Sequence, residues 1–436
     1  MTDHERRCSA LASEFEGAQA RGQRIGLRKS TSNLFRQRAP AGKRLIDVRG
    51  FDHVLAIDPR RMTADVEGMI TYEALVDATL PHGLLPAVVP QLKTITVGGA
   101  VSGLGIESSS FKFGLVHESV EEMEILLGDG RLVRCSCREN PDLFFGFPNS
   151  YGTLGYALRL TVRLIPAKPY VHLIHARFSD PETYFARVAE LCAESAVDYL
   201  DGTIFSPDEM YLTQGQFAES APSTSDYTYM DIYYRSIQRK SEDWLTAGDY
   251  IWRWDTDWFW CSKQFYLQTP AIRALSKWAL NSRTYQRIMR LSYKILPDSG
   301  GTESVIQDID IPIGRAPEFF DFLLSEIGIT PVWMCPFKTG GAGRAWDLSP
   351  LDSARLYINF GFWDVIPSTH EKGYFNRKIE RKTMQLGGAK GLYSSAWYEE
   401  PEFWSIYDRK RYVELKQAYD PNGVFPDLYS KCVRRH

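Results

Sequence analysis

The sequence predicts an α+β protein of two domains, and three observations carry that reading. Its 436 residues exceed what one ordinary core organises. Up to about residue 167, short alternating runs are interleaved with helical spacing and one hairpin signal. After Pro169 the texture changes: longer strand-like and helical pieces alternate, aromatic stretches lengthen, and turns such as LPDSGG (296–301) interrupt the chain.

Taken in order, residues 5–21 follow helical spacing. Strand-like runs come next at RLIDVRG (44–50), HVLAIDP (53–59) and TADVEGMI (63–70). TYEALVDATLPHG reads as a helix with Thr71 as its cap and Gly83 past its end. The segment TVGGAVSGLGIESSSFKFG (96–114) packs five glycines and four serines into nineteen residues. EEMEILLGDGRLVRC then sets two alternating runs around Asp129-Gly130, a hairpin signal. GTLGYALRLTVRLIP closes this half with a strand and a proline stop. The tail AYDPNGVFPDLY is a turn-rich terminator, and neither internal repeats nor low-complexity tracts occur.

Bulk composition narrows the function classes. Hydrophobic content of 44% with 24% charged residues is ordinary for a globular protein, and a formal charge of −3 gives no argument for a nucleic-acid partner. No run approaches the roughly 18–20 apolar residues that a membrane span needs. The first 24 residues hold no apolar stretch of the secretory-signal kind. Seven cysteines without CxxC spacing read as reduced thiols, which predicts an intracellular protein and no metal site.

Two biases leave alternatives open. Residues 1–50 carry eleven Lys/Arg against five Asp/Glu, either to face phosphates or an anionic membrane surface, or as a solvated helix. YIWRWDTDWFW (250–260) holds four of the eleven tryptophans, either as packed core or as the rim of an entrance for an apolar ligand.

Glycine at the density seen after Thr96 implies a backbone that bends sharply or approaches something closely. A dinucleotide-binding G-x-G-x-x-G fails, because Gly103-Leu104-Gly105 runs on into Ile106, Glu107 and Ser108. A P-loop fails as well, since Leu104 and Gly105 stand where Lys and Ser/Thr belong. What remains is a loop of exposed N–H groups and small hydroxyls, a nest suited to a pyrophosphate. A second turn, Ser150 to Gly155, could close its far side around an extended dinucleotide such as FAD. Glycine loops also serve as plain turns.

The set TVGG…GxGIESSSxKxGL, GDGRLVRC, NSYGTLGYALRLTVRLIPAKPYV, PVWMCPF and EFWSIYD…FPDLYSKC resembles the delta-24 sterol reductase family, within the larger group that has the vanillyl-alcohol-oxidase (PCMH) type of FAD domain. The likeness runs from about residue 45 to the C-terminus. It implies a two-part FAD domain, residues 1–167 with 401–436 returning to it. Between them, residues 168–400 would form a substrate domain with an antiparallel sheet covered by helices. Thr96, Val97, Gly98, Gly99, Gly103, Gly105, Ile106, Ser108, Ser109 and Ser110 would wrap the pyrophosphate, and Gly152, Thr153, Leu154 and Gly155 would hold the adenine side. The group's first FAD loop corresponds to Arg28–Arg36 and matches poorly, with no glycine or histidine. Covalent flavins of the group use that histidine or a cysteine just before TVGG; Leu92 and its neighbours offer none, which predicts non-covalent FAD. Arg28, Lys29 and Arg36 would neutralise FAD phosphates, or simply be solvated.

The resemblance further implies reduction of an isolated carbon–carbon double bond in a lipid, with NADPH as electron donor. An unconjugated alkene is too weakly polarised to take hydride directly. Protonation to a tertiary carbocation followed by hydride from reduced flavin meets the difficulty, and the protein must place the alkene, supply the proton and exclude water. KSTSNLF and GFPNSYGTLGYALRL look closest to the bacterial branch, which reduces methylene-branched fatty acyl chains. That substrate ranks first, a sterol side chain second, and an alcohol or lactone oxidation on the same fold third. The expected setting is cytoplasmic, with peripheral contact at the inner face of a membrane.

For the proton donor, Glu107 comes first, since burial beside a flavin would raise its carboxyl pKa; it could equally accept loop N–H bonds and shape the turn. Tyr357 and Asn359, on the alternating run ARLYINFGFW, would face the flavin, although a strand tyrosine also serves as core. Tyr393 and Lys338 follow, and His117 reads as structural.

Overall fold

The structure, a computed structural model, describes residues 2–30, 43–295, 301–340 and 343–433. Arg36 and most of the LPDSGG turn lie outside the described residues.

Helix Asp3–Ala20 starts at a capping box between Thr2 and Glu5 and buries His4, Cys8, Leu11, Phe15 and Ala18, one residue in every three or four along a single stripe. That stripe covers the parallel pair Arg24–Arg28 and Lys43–Asp47, where it meets Ile25, Ile46 and Val48. His4 also binds Glu67 through Nδ1 at 2.6 Å. Burial alone would raise the Glu67 pKa, but hydrogen bonds from His4, Arg7 and His53 outweigh it and hold the carboxyl at about 2.

The first sheet is antiparallel and runs in the order Val54–Asp58, Thr63–Glu67, Tyr156–Pro166, Val120–Leu126, Leu132–Ser136, with Leu84–Pro86 paired to the far end of the long strand. The hairpin expected at Asp129-Gly130 closes there, with Gly130 at φ 87° and a Leu127 N–H to Arg131 carbonyl bond of 2.9 Å. Thr71 caps helix Tyr72–Thr79 through its side chain, and Gly83 ends the following turn at φ 67°.

From Tyr170 onward the strands belong to a second antiparallel sheet. Its order is Glu242–Thr246, Tyr170–Phe178, Glu209–Ala218, Tyr199–Ser206, Val332–Phe337, Tyr357–Pro367, Thr302–Pro312, Ala389–Lys390. Helices Pro181–Glu194, Ala316–Phe322 and Tyr374–Gln385 cover one face, burying Tyr184, Phe185, Phe319 and Ile379 against Leu200, Ile309 and Phe360. The opposite face meets the aromatic run and the glycine segment. The expected α+β architecture, with an antiparallel sheet covered by helices, is what forms.

Of the two readings left open for Tyr250–Trp260, packing holds. Trp258 is 4% exposed and Trp260 0%, and with Trp254 they join the core under the second sheet; none of the three rims an entrance. The charged residues interspersed among them are buried too. Asp257 takes a two-point bond from Arg273 at 2.7 and 2.9 Å, and Asp255 accepts the Lys93 and Ser282 N–H groups.

Two backbones touch at Gly68. A Cβ there would stand 1.9 Å from the Ala157 carbonyl oxygen, a contact that no side chain can share. Gly68→Ala should therefore destabilise the fold by about 3 kcal/mol or more, read from denaturant unfolding. Gly314→Ala, where an added Cβ meets nothing within 4 Å, should stay within about 0.5 kcal/mol of wild type.

Candidate active site

The glycine segment is shorter as a loop than its composition suggests. Val97–Ser102 is a helix, and its first N–H groups are taken: Val97 donates to the Ile70 carbonyl and Gly98 to the Gly68 carbonyl. Gly98 is glycine because a Cβ would lie 2.8 Å from that Gly68 oxygen. The Gly103 and Gly105 N–H groups, expected to be exposed, are taken instead: both converge on the Ala100 carbonyl, at 3.3 and 2.9 Å, and so terminate the helix. Leu104 takes the left-handed position at φ 56°.

The serines are likewise committed. Ser108 Oγ donates to Glu107 at 2.6 Å, Ser109 Oγ donates to the Ala87 carbonyl at 2.8 Å, and Ser110 Oγ accepts the Glu107 N–H at 3.0 Å. All three are buried. Thr96 caps the helix without a side-chain bond, and Gly99 packs on Thr96 Oγ1. The second turn meets the first, with the Tyr151 N–H donating to the Ser102 carbonyl at 3.0 Å. Gly152 and Thr153 present their carbonyls to Lys431 and Lys416, Leu154 packs in a cluster with Phe403 and Tyr407, and Gly155 lies against Leu126.

Glu107, within this segment, is buried. Its carboxylate takes a short bond from Gln91 Nε2 and stands 3.6 Å from Arg253, whose closer partner is Asp201 at 2.8 Å. Trp333 Nε1 also donates to Asp201, and Arg253 lies 4.0 Å over the Tyr250 ring. Burial raises the Glu107 pKa to about 7, against the opposing pull of Arg253.

Between the glycine segment and the second sheet runs a narrow cleft, with room for about 40 Å³ of solvent. Gly103, Leu104, Ile106, Leu115, Asn149 and Tyr151 form one wall; Asp308, Asp310, Asn359, Lys390, Gly391 and Tyr393 form the other. Of the residues read from the sequence, Asn359 and Tyr393 line the cleft. Tyr357 does not line it: it is buried against Phe337, and its hydroxyl accepts the Asp352 N–H at 3.0 Å. Lys338 is exposed. His117 is buried 4.5 Å from the Trp346 ring, its pKa pushed down to about 3 by burial.

Asp308 and Asp310 were missed, although the run IQDIDIP carries the signal. Two acids two residues apart on an alternating strand share a face. Here that face turns to the cleft, while Val305, Ile309 and Ile311 point into the helix-covered core. Register sets Asp310 opposite Asn359, which donates to it at 2.8 Å, and Asp308 opposite Gly361, where a Cβ would stand 2.8 Å from the carboxyl. Burial raises both acids to about 7, opposed at Asp308 by a Tyr393 hydrogen bond and at Asp310 by Asn359. Lys390 offers them no counter-charge, being held by Glu380 at 2.7 Å.

A flavin can be tested against these walls. Asp308 Oδ1 and Asn359 Oδ1 are buried acceptors without a donor, and the Leu104 and Ile106 N–H groups find no acceptor among the described residues. A flat heterocycle with both donors and acceptors at its edge matches that set in hydrogen bonding.

The comparisons agree with a flavin. The family model described as an FAD binding domain matches residues 9–136. The human Delta(24)-sterol reductase is 26% identical over 401 residues, covering 87% of this chain and 76% of that protein. The Arabidopsis thaliana Delta(24)-sterol reductase is 25% identical over 441 residues, with 89% and 76% covered. Cytokinin dehydrogenase 10 of Oryza sativa subsp. japonica is 29% identical over 178 residues, 40% of this chain and 32% of its own.

The enclosed acids give a pH signature. Asp308 ionises above about pH 4 when unfolded but only near 7 in the fold. Between those values the fold binds the extra proton, so this residue makes stability fall as pH rises. Asp308→Asn lacks that loss. Its unfolding free energy relative to wild type should rise by on the order of 2 kcal/mol from pH 5 to pH 8, measured by urea titration.

Proposed function

We propose that this chain, an FAD-linked oxidoreductase resembling the Delta(24)-sterol reductases along most of its length, reduces an isolated carbon–carbon double bond in a lipid. The substrate placed first is a methylene-branched fatty acyl chain, reduced to its methyl form with NADPH as donor. One observation carries the reading: two enclosed carboxyl groups that titrate near neutrality line a cleft between the glycine segment and the antiparallel sheet. An alkene that must be protonated needs such an acid, and pKa values near 7 keep it loaded at the working pH.

FAD, when bound, supplies the hydride. Thr96–Ser110 and Gly152–Gly155 would hold it, with the Leu104 and Ile106 N–H groups as donors that find no acceptor among the described residues. Asp308 holds the proton on its carboxyl, Tyr393 orients that carboxyl, and Asn359 fixes Asp310 beside it. Leu104, Ile106 and Leu115 line the opposite wall with hydrocarbon, keeping water from a carbocation. Glu107 acts by holding the glycine segment through Arg253 rather than by giving a proton. Among the described residues no cysteine or histidine lines the cleft, in keeping with a non-covalent FAD. The nicotinamide of NADPH visits the same cleft in alternation with the lipid.

The division into an FAD domain (1–167 with 401–436) and a substrate domain (168–400) belongs to this reading. Its support is the change of sheet between Pro166 and Tyr170, with the bonds from Lys416 and Lys431 to Thr153 and Gly152. The expected setting is cytoplasmic, against the inner face of a membrane; no described helix is long and apolar enough to cross one. A sterol side-chain alkene is the second reading, favoured by the activity in the relatives' names.

Lipid mass spectrometry of cells with and without the gene separates the two: a two-hydrogen shift in branched fatty acyl chains supports the first and a shift in sterols the second. No shift in either overturns both. In the purified enzyme, Asp308→Asn should slow alkene reduction about 100-fold while bleaching of the flavin by NADPH stays within about twofold.

A further inference from the structure

The segment after the aromatic run exposes what the run itself buries. Leu275 is 84% exposed, Trp278 76% and Tyr266 73%, with Ile272 beside them at 40%. These are not residues of a frayed end. Helix Pro270–Leu275 is pinned from beneath by Arg273, which is buried on Asp257 and the Leu267 carbonyl, and by the Tyr229 hydroxyl on the Ala274 carbonyl at 2.7 Å. Tyr266 stands at φ 58°, a left-handed position where glycine is the easy choice, and yet it carries an exposed aromatic ring.

The charge of the same segment has one sign. From Cys261 to Ile295 the sequence holds seven Lys/Arg and no Asp/Glu. Arg273, Lys263 and Arg283 are matched from elsewhere by Asp257, Asp364 and Glu73. Lys277 and Arg287 are exposed. A second cleft of about 460 Å³ lies against Pro270 at the start of the helix, and Arg235 and Arg239 line it, with Asp231 as the one acid among its lining residues.

We infer that this face, built on Tyr266, Ile272, Leu275 and Trp278 and flanked by Lys277 and Arg287, docks the protein on an anionic phospholipid bilayer. Exposed tryptophan and leucine on a pinned helix insert at the depth of the headgroups, and unbalanced cations add attraction to an anionic leaflet. The placement suits a lipid enzyme. Helix Ser282–Ile295, which continues the segment, is tied by Gln286 to Thr94 Oγ1 at 2.7 Å, two residues before the glycine segment begins. Docking here brings the bilayer to the side of the molecule from which that segment is held. The inference deepens the lipid-reductase reading, and its test uses neither substrate nor turnover, so the two fail separately.

Vesicle flotation with the full chain tests it, using phosphatidylglycerol mixed into phosphatidylcholine against phosphatidylcholine alone. Wild type should float with the anionic vesicles, and binding should weaken at high salt. Leu275→Ser/Trp278→Ser should reduce that binding at least about tenfold, while FAD absorbance and melting temperature match wild type. Absence of wild-type binding, or equal binding by the double variant, overturns the inference. So does a wild-type dimer in light scattering that the double variant converts to monomer, because the face would then belong to a second copy.

Discussion

The guanidinium of Arg253 stands between two carboxyl groups that come from different parts of the chain, Glu107 within the glycine segment and Asp201 on the second sheet. A buried cation held in this way tolerates no loss of a partner, since an uncompensated charge in such surroundings costs about 3–5 kcal/mol. The arrangement therefore fixes how the glycine segment leans on the sheet, and with it the width and aim of the cleft between them. Glu107, titrating near 7, is the softer partner, and Asp201 the closer one.

The cleft inherits its chemistry from register. Antiparallel pairing sets Asp310 against Asn359 and Asp308 against Gly361, so one neighbour donates a hydrogen bond and the other makes space. Two acids about 6–7 Å apart along one strand face are pushed up by desolvation to about 7, so that each can carry a proton up to neutral pH, the state a proton donor needs. Lys390 might be expected to spoil this by supplying charge, but its ammonium is spent on Glu380 and the Ser395 carbonyl. The same residues would be unremarkable on an open surface.

Much of the local structure was legible. The cap at Thr71, the stop at Gly83 and the hairpin at Gly130 follow from residue chemistry that acts over a few positions. The glycine segment was legible as a place of close approach, but not as to what is approached: the oxygen beyond Gly98 belongs to Gly68, and the nest at Gly103 is filled by Ala100. Those partners depend on pairing between distant strands, which spacing within one segment does not encode. The tryptophan run could be weighed both ways until the second sheet was seen lying over it. Asp308 and Asp310 were readable from their alternation, yet only the fold tells which face of that strand meets the glycine segment.

Phe425 rests on Phe15 at a ring separation of 6.2 Å, and Lys416 and Lys431 grip the carbonyls of the second glycine turn. These braces are made more than 250 residues after the turn they steady, as the separations of 263 and 279 positions record. During synthesis the first sheet therefore emerges long before its clasp. A chain without residues 416–431 would lack both of the lysine bonds to this turn.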